Sequence, residues 1–370
     1  MDILILNWKD VKNPQAGGAE IIAFEFARRL VKEGHKVTFF SRTFSNCLKE
    51  EIIDGVKIIR QGNRFSVYLQ AFFYYKSLKK KPQRVIDMVN TICWQTPLYV
   101  DKKIRIAYVN QLAKEVLFYE FTWPLSLIAY LLERFEYFTY LSTKFVCYSK
   151  STKEDLMSFG VKEKNIKTFP LGVDHDRYVK IGNKNKDPLF IFVARLVKMK
   201  RGDLCVRSMK KVVRKYPKAR LYILGNGPDE KRLQKLVKRA DLEKNVKFVS
   251  KNNFFIDKNI KDLKVSLMQK AWALLLPSIK EGWGLVVTEA AACGTPAIVS
   301  NVTGLRDSVA NGKTGIVLSK NPSENELSQA MIKLIEDDSL RKKISEGAYE
   351  YSQSFSWDKS YRDFKRLILV

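Results

Sequence analysis

Short apolar runs alternate with amphipathic stretches along the whole chain, and this alternation is the first guide to its architecture. Brief apolar runs between turn residues are typical of buried strands, and longer amphipathic stretches are typical of helices. We predict strands at 3–6, 37–40, 56–60, 84–89, 104–109 and 145–148, and again at 189–194, 221–224, 246–250, 271–276 and 297–299. We predict helices at 19–32, 65–81, 125–141, 202–214, 263–270, 285–293, 324–337 and 339–355, a helix capped at Ser151, and a last helix that reaches residue 369. This order of strand, loop, helix and strand predicts an α/β protein with parallel sheets.

Residues 271–300 are the most informative stretch, because a strand, a loop, a helix and a second strand follow one another closely. Pro277 ends the first strand, and Gly294 follows the helix at a position that favours glycine. Ligands of open α/β sheets bind outside the carboxyl ends of the strands, so the loop 278–284 should face a ligand. We therefore place the candidate site in this loop.

Two carboxylates, Glu281 and Glu289, bracket this loop and helix with seven residues between them. A carboxylate accepts two hydroxyl hydrogen bonds at once, which suits the vicinal hydroxyl groups of a sugar or a ribose. Gly282 and Gly284 let backbone N–H groups approach an anion at the helix N-terminus. The pattern fits a holder for a nucleotide sugar. A solvated helix with two surface glutamates, which would contribute little to the core, fits the spacing equally well.

Two further loops follow the first strand of each half. Gly17 and Gly18 stand before the first helix without a G-x-G-x-x-G fingerprint, so they are either a loop hinge or a site of close approach to a phosphate. Arg195 and Lys200 are five residues apart and can converge on a diphosphate, although a solvated basic loop has the same appearance.

Taken together, these motifs resemble the retaining glycosyltransferases of family 4, which have the GT-B fold. The segment PSIKEGWGLVVTEAAACGTPAIVS resembles the family's E-x7-E segment, GGAE its first glycine loop, RLVKMKRG its R-L-x-x-x-K-G clamp, and NGKTG its NG-x-x-G turn. The chain departs from the family at Asp307, where glutamate is usual, and at Asn110, where histidine is usual. Arg201 is an extra residue before Gly202, so either Lys200 or Arg201 can take the role of the clamp lysine, and the spacing favours Lys200.

The resemblance covers nearly the whole chain and implies two Rossmann-like β/α/β domains that face a central cleft. The acceptor-binding domain is expected at 1–178 and the nucleotide-sugar-binding domain at 179–355, with a C-terminal helix in 356–370 that crosses back to the first domain. The implied reaction is a retaining transfer of a sugar from a UDP- or GDP-linked donor to a lipid-linked or glycan acceptor, in cell-envelope or glycoconjugate synthesis. No cofactor and no metal are expected, so Asp174 and Asp176 are interpreted as part of an interdomain turn.

The same resemblance implies roles for individual residues. Arg195 and Lys200 are expected to stabilise charge on the leaving diphosphate, and Glu281 to hold sugar hydroxyls; these three are the expected catalytic residues. Asn110 is expected to donate a hydrogen bond to the transferred sugar on the acceptor side. The loop from residue 251 is expected to meet the nucleotide base. The expected donor-binding residues are Gly17, Gly18, Gly282, Trp283, Gly284, Leu285, Val286 and Glu289, the last on the ribose diol.

The composition limits the remaining function classes. Lys+Arg 66 against Asp+Glu 39 give a net charge of +27 over 370 residues. This charge favours anionic partners and makes a nucleic-acid-binding protein a rival, although the basic residues are spread out and no nucleic-acid motif occurs, so no nucleic-acid partner is expected. A sugar-nucleotide epimerase and an inactive nucleotide-sugar-binding scaffold are further alternatives. The scattered cysteines and the lack of a leader or a spanning apolar run favour a cytoplasmic protein.

Two segments of the first half, 65–81 and 118–140, are crowded with aromatic and aliphatic side chains. They are either core helices of the first domain or an interfacial surface that meets lipid. The basic run Lys79, Lys80 and Lys81 adds an edge that attracts anionic lipid. We therefore predict peripheral attachment to an anionic membrane surface through the first half.

Overall fold

The fold is given by a computed structural model, which describes residues 1–249 and 258–369. The chain divides into two compact units, Met1–Pro170 together with the residues from Asp358 onward, and Leu171–Trp357. Each unit is built on its own sheet. No helix within the described ranges has both the length and the hydropathy of a membrane-spanning segment.

The strands of the first unit are β1 (Asp2–Leu6), β2 (Lys36–Ser41), β3 (Glu50–Ile53), β4 (Val56–Arg60), β5 (Arg84–Val89), β6 (Arg105–Val109), β7 (Lys144–Cys147) and β8 (Ile166–Thr168). They form one sheet in the order β3-β4-β2-β1-β5-β6-β7-β8. The pairs are parallel except for β3 and β4, which form an antiparallel hairpin at one edge. The central strands are nearly continuous apolar runs because helices cover both faces of such a sheet.

The helices of the first unit are α1 (Gly18–Lys32), α2 (Val67–Ser77), α3 (Leu117–Glu120), α4 (Leu125–Phe138), α5 (Lys150–Ser158) and the C-terminal helix Trp357–Ile368. Helix α2 packs on Leu4 and Leu6 of β1, and Tyr137 of α4 packs on Ala107 and Val109 of β6. The strand register places these four strand residues on the same face of the sheet. Helices α2 and α4 therefore cover the same face.

The strands of the second unit are β9 (Leu189–Val193), β10 (Arg220–Leu224), β11 (Val246–Val249), β12 (Ala273–Leu276), β13 (Ala297–Val299) and β14 (Gly315–Val317). They form a fully parallel sheet in the order β11-β10-β9-β12-β13-β14. The helices are α6 (Gly202–Lys215), α7 (Glu230–Arg239), α8 (Lys258–Lys270), α9 (Leu285–Ala292), α10 (Leu305–Ser308), α11 (Glu324–Glu336) and α12 (Asp338–Ser352). One continuous core of strand residues and the inner sides of α6, α7 and α11 holds this unit together.

The predicted α/β class and the two Rossmann-like, parallel-sheet units are confirmed. Several details were wrong. The helix predicted at 65–81 ends at Ser77, the helix predicted at 125–141 ends at Phe138, and the helix predicted at 263–270 begins at Lys258. Helix α5 is capped by Ser149 rather than by Ser151. Ser149 has an extended backbone, and its hydroxyl accepts from the Thr152 N–H at 3.1 Å, whereas Ser151 already lies inside the first turn. The loop from residue 251, expected to meet the base, lies outside the described residues.

Candidate functional site in the second unit and polar chain in the first

Three adjacent strands of the second unit end at the same edge of its sheet, and the candidate residues follow them. Arg195 comes two residues after β9, and Ser278 comes two residues after β12. The loop after β13 closes onto the loop after β12, since the Glu281 N–H donates to the Thr303 carbonyl at 3.2 Å. The carboxyl ends of parallel strands thus bring these loops together, as the sequence predicted.

Lys200 and Glu281 form an ion pair between the loops after β9 and β12. The Lys200 Nζ donates to the Glu281 Oε1 at 2.5 Å, and the Ser278 hydroxyl donates to the same oxygen at 2.9 Å. Both side chains of the pair are largely buried. Arg201, the other candidate for the clamp lysine's role, turns away and donates to the Pro322 carbonyl at 3.0 Å. Of the two basic residues, Lys200 is therefore the one brought to Glu281.

Opposing effects act on the pKa of Lys200 in this pair. Burial is the main cause that lowers the pKa of Lys200, and burial and Arg195 together outweigh the neighbouring Glu281 carboxylate, which raises it. Arg195 itself is exposed at the end of β9. Two basic side chains therefore stand close together at this edge, one of them in a partly dehydrated environment. Such an arrangement favours an anion with more than one negative charge.

Glu289 is paired with a second buried lysine, which the sequence analysis missed. The Lys264 Nζ in α8 donates to the Glu289 Oε2 at 2.5 Å and to the Tyr178 hydroxyl at 3.0 Å. Burial acts to lower the pKa of Lys264, but Glu289 and Tyr178 raise it by more, so this pKa lies above its ordinary value. Each carboxylate of the E-x7-E segment thus has its own buried lysine.

The expectation that both glutamates are surface residues contributing little to the core needs correction. The side chains of Glu281 and Glu289 are only 15% and 18% exposed, and each pairs with a buried lysine. Leu267 and Met268 are buried on α8, three and four residues after Lys264. Residues three and four apart lie on the same side of a helix, so this spacing places Lys264 on the buried side of α8. A buried ammonium group needs a partner, and this was the signal in the sequence.

Helix α9 begins directly behind the loop. Gly284 caps its N-terminus in the left-handed region, at φ +85°, where an added Cβ would lie 2.8 Å from the Leu305 side chain. Leu285 and Val286 are half-buried in the first turn, whose N–H groups make a helix N-terminus suited to anions. Trp283 is buried and packs edge-on against Phe355, with ring centroids 5.5 Å apart.

The half-buried Gly282 lies in the same loop, and close packing fixes its backbone. Gly304 has φ +81°, and an added Cβ there would lie 2.4 Å from the Glu281 carbonyl oxygen and 2.7 Å from the Gly282 carbonyl carbon. The loop after β13 therefore supports the loop of the candidate site from behind. Any larger side chain at residue 304 would push this support away.

Gly17 and Gly18 lie in the first unit, at the start of α1. Gly17 is the N-cap with an extended backbone, and its N–H donates to the Glu20 Oε2 at 2.6 Å. Glu20 is buried and lies 3.5 Å from the Lys9 Nζ, which in turn donates to the Gln15 carbonyl at 2.5 Å. The loop before α1 is therefore fixed by a buried ion pair.

Asn110 lies at the carboxyl end of β6, in a chain of amide groups that crosses three strand ends of the first unit. Its Nδ2 donates to the Asn90 Oδ1, and the Asn90 Nδ2 donates to the Asn7 Oδ1 at 2.7 Å. The Asn7 Nδ2 continues the chain to the Lys9 carbonyl at 2.8 Å, and the Tyr148 hydroxyl donates to the Asn110 Oδ1. Asn7, Asn90 and Tyr148 were not singled out from the sequence, because they are far from Asn110 along the chain.

Among residues 1–249 and 258–369, no three His, Cys, Asp or Glu side chains are grouped as ligands for a metal ion. In the sequence run Asp174, His175 and Asp176, the Nε2 atom of His175 lies 2.8 Å from the carbonyl oxygen of Phe355. The Asp174 carboxylate accepts from the Arg177 N–H at 3.3 Å, within its own turn. These contacts hold the segment 174–176 within the fold of the second unit.

Comparison with protein families matches two models that together span most of the chain. Residues 16–177 match "Glycosyltransferase Family 4", and residues 174–351 match "Glycosyl transferases group 1". The chain therefore belongs to the family 4 glycosyltransferases, of the group 1 type.

Relatives in other organisms agree with this assignment. An uncharacterised glycosyltransferase of Methanocaldococcus jannaschii is 29% identical over 229 residues, which cover 61% of this chain and 59% of the relative. A second uncharacterised glycosyltransferase of the same organism is 25% identical over 97% of this chain and 95% of the relative. Among the first relatives, a D-inositol 3-phosphate glycosyltransferase of Corynebacterium aurimucosum is matched over only 52% of its length.

Solved structures with the same fold include sucrose-phosphate synthase from Thermosynechococcus elongatus, with a TM-score of 0.80 and 20% identity over 99% of this chain and 98% of that one. Anabaena HepE in complex with UDP-glucose has a TM-score of 0.73 and 16% identity over 100% and 99%. These likenesses establish the fold, which is the GT-B fold of two Rossmann-like domains.

Proposed function

We propose that this protein is a glycosyltransferase that takes a sugar from a nucleotide-diphosphate sugar and transfers it with retention of anomeric configuration. The observation that carries the proposal is the pair of Lys–Glu ion pairs on the E-x7-E segment, Lys200 with Glu281 and Lys264 with Glu289. A nucleotide sugar offers two anionic phosphates and two sets of vicinal hydroxyls. The candidate site offers basic groups, a helix N-terminus and two carboxylates of matching chemistry.

The first part of the reaction is departure of the nucleotide diphosphate. An ammonium group has three donors, so Lys200 can hold Glu281 with one and a phosphate oxygen with another. The exposed Arg195 guanidinium can bind two phosphate oxygens at once. We propose that these two groups stabilise the negative charge that develops on the diphosphate, while the N–H groups of Leu285 and Val286 face the same phosphates.

The carboxylates orient the donor. Glu281 already accepts from Lys200 and Ser278 through Oε1, so Oε2 is the oxygen that we assign to the sugar hydroxyls. Glu289 is assigned to the ribose diol, with Lys264 fixing its orientation. Carboxylates accept strong hydrogen bonds from hydroxyls, and the two buried lysines hold these carboxylates in place. Glycosidases use paired acids on either side of the scissile bond, and we assign neither glutamate that nucleophilic role.

On the acceptor side we assign Asn110. Both of its polar atoms are engaged with Asn90 and Tyr148, so its amide cannot turn without breaking the chain of hydrogen bonds. We propose that it holds this end of β6 in place for a lipid-linked or glycan acceptor. The reaction needs no ionising side chain there if the leaving phosphate takes the acceptor proton. In the same way, no metal is assigned a role.

The comparisons lend support in general terms. The solved structure of HepE holds UDP-glucose, and the names of several relatives are those of glycosyltransferases. The alternatives of an epimerase, an inactive scaffold or a nucleic-acid-binding protein are not favoured.

A thermal-shift screen against UDP-, GDP-, ADP- and TDP-sugars tests the proposal, because a bound donor raises the unfolding temperature by mass action. At a donor concentration of about 100 Kd the stabilisation is about 2.7 kcal/mol. The matched variants are Glu289→Gln, which should lose this response, and Glu243→Gln, an exposed carboxylate of the same unit that should keep it.

Transfer itself is then followed by NMR with the selected donor and a panel of lipid-linked and glycan acceptors. A product with the donor's anomeric configuration supports retention, and an inverted product contradicts it. A stabilised protein that releases sugar or isomerises the donor without using any acceptor would favour the epimerase instead. No stabilisation by any of the four donors would contradict the proposed donor site.

A further inference from the structure

Helix α4 buries a side with polar residues and exposes an apolar side, which is the reverse of an ordinary surface helix in a globular protein. Its inner side holds Ser126, Glu133 and Tyr137, all buried, and the Glu133 carboxylate accepts from the N–H groups of Ala113 and Lys114. Its outer side is apolar, and the exposed fractions of its residues lie between 50% and 73%: Leu125, Ile128, Leu131, Leu132, Phe135 and Phe138. The only exposed charged residue between 123 and 138 is Arg134.

This outer side continues into other exposed apolar residues of the first unit. Trp123, immediately before α4, is 79% exposed. On α2 and its preceding turn, Phe65, Leu69 and Phe73 are exposed at intervals of four residues, which form one stripe. Because α2 and α4 cover the same face of the sheet, their outer sides form one layer. Soluble monomers rarely expose so large an apolar patch without a partner.

The charge around this layer indicates which partner it meets. Residues 61–83 contain five basic residues and no acidic one. Arg64, Lys76 and Lys79 are exposed, and none of them pairs with a carboxylate among the described residues. A second copy of the chain would bring two proteins of net charge +27 together, whereas an anionic lipid surface has the opposite charge.

Helix length indicates how the contact is made. The 14 residues of α4 extend about 21 Å, well short of the roughly 30 Å hydrocarbon core of a bilayer. A helix of this length with one apolar side lies in the plane of the interface. Tryptophan and tyrosine are favoured at the headgroup level, where Trp123 and Tyr119 would lie.

We infer that the outer layer of α2 and α4 docks this protein on an anionic lipid bilayer, with the apolar side of α4 in the headgroup and acyl boundary and the basic residues in and beside α2 on the anionic headgroups. This inference does not rest on the proposed reaction. It concerns a different surface, and a failure of one leaves the other standing.

The test is co-flotation of the full-length protein with vesicles of phosphatidylcholine alone and with vesicles that also contain phosphatidylglycerol. We expect partition to the anionic vesicles at low salt and at least about tenfold weaker partition in about 1 M salt, where the Debye length is about 3 Å. Replacing Lys76 and Lys79 by glutamine should weaken partition at low salt by roughly fivefold for each lysine.

The decisive variant is the triple substitution Ile128→Ser, Leu132→Ser and Phe135→Ser, on the outer side of α4. It should weaken partition at least about thirtyfold, because three half-exposed apolar side chains no longer enter the boundary. The matched control is Leu48→Ser with Ile52→Ser, two equally exposed apolar residues of the first unit outside this layer. The control should float like the wild type, and circular dichroism should show that both variants are folded.

Two results would overturn the inference. One is equal failure of the wild type to float with either vesicle at low salt. The other is a triple variant that is folded and floats like the wild type. Sedimentation of the wild type without vesicles tests the competing partner, a second copy of the chain. A dimer that the triple variant abolishes, with no flotation by the wild type, would assign the layer to self-association and reject lipid docking.

Discussion

Removing Lys200 and removing Glu281 should affect the stability of the second unit very differently, although the two side chains form one ion pair. At the 2.5 Å separation of Nζ and Oε1, their Coulomb attraction is about 7 kcal/mol for an effective dielectric constant near 20. The cost of dehydrating the two ions opposes this attraction, and it is several kcal/mol per ion. The lowered pKa of Lys200 decides between them, because burial is its largest cause and, together with Arg195, outweighs the opposing effect of Glu281.

The two single substitutions should therefore lower the free energy of unfolding by different amounts. In Glu281→Gln, the Lys200 ammonium stays buried without its carboxylate, and we expect a loss of about 2–4 kcal/mol, below the usual loss for a fully buried pair because the Glu281 side chain keeps some exposure. In Lys200→Met, Glu281 keeps the Ser278 hydroxyl and its contact with solvent, so the loss should be about 1 kcal/mol or less. The double variant leaves no buried charge unpaired and should be close to Lys200→Met.

Amide hydrogen exchange in β9 and β12 measures these differences, because both strands belong to the second unit and report on its opening. Because the double variant should resemble Lys200→Met, the coupling in the double-variant cycle should equal the loss in Glu281→Gln, about 2–4 kcal/mol. If Lys200→Met costs as much as Glu281→Gln, then burial does not dominate the energetics of Lys200, and the reasoning is wrong.

Three further predictions concern pH, the acceptor side and metals. Burial raises the pKa of Asp87 from 3.8 to about 6, and a raised folded-state pKa means that its contribution to stability is lost as pH rises through this window. Relative to Asp87→Asn, the wild type should therefore lose about 2 kcal/mol of unfolding free energy between pH 4 and pH 7, and a flat difference in urea unfolding would contradict this. Asn110→Ala should lower transfer and destabilise the first unit by about 1–3 kcal/mol, because Asn90 and Tyr148 lose a hydrogen-bond partner; transfer at the wild-type rate would remove Asn110 from the acceptor side. Transfer should continue in EDTA, since no metal-ligand group occurs among the described residues; loss of transfer that Mg²⁺ restores would make Asp174 and Asp176 candidates again.

The central strands were predictable because strands buried on both faces read as uninterrupted apolar runs. The edge strands β3, β8 and β14 were not. β3 has the sequence EEII, with both glutamates and Ile52 outside the core, and it pairs with β4 through a short hairpin. β8 is three residues long, with Lys167 and Thr168 exposed. Edge strands of this kind carry charged residues that remove the apolar pattern.

The residues at the sheet edge of the second unit could be predicted from local spacing, but their partners could not. Glu281, Glu289 and Lys200 lie at regular distances from glycines and strand ends. Lys264 of α8 is 25 residues from Glu289 of α9 along the chain, and only the tertiary fold brings the two side chains together. The sequence shows a lysine at a buried helical position without showing which carboxylate it meets.

In helix α4, the sequence likewise does not show which side of the helix is buried. Its pattern of apolar and polar residues predicts two distinct sides, and the usual assumption buries the apolar side. Here Glu133 faces inward because the N–H groups of Ala113 and Lys114 need an acceptor, and these groups come from a segment about 20 residues earlier. Only the tertiary contacts decide which side is buried.

The most direct test of the central claim, that Lys200 acts on the leaving diphosphate, is the rate of transfer by Lys200→Met with the donor found in the screen. The control is Lys210→Met, which removes an exposed lysine of α6 in the same unit and should leave the rate unchanged. We expect Lys200→Met to be folded and to transfer at least about a hundredfold more slowly, the usual loss when one preorganised charge-stabilising group is removed. A folded Lys200→Met variant that transfers sugar at the wild-type rate would contradict the proposed site.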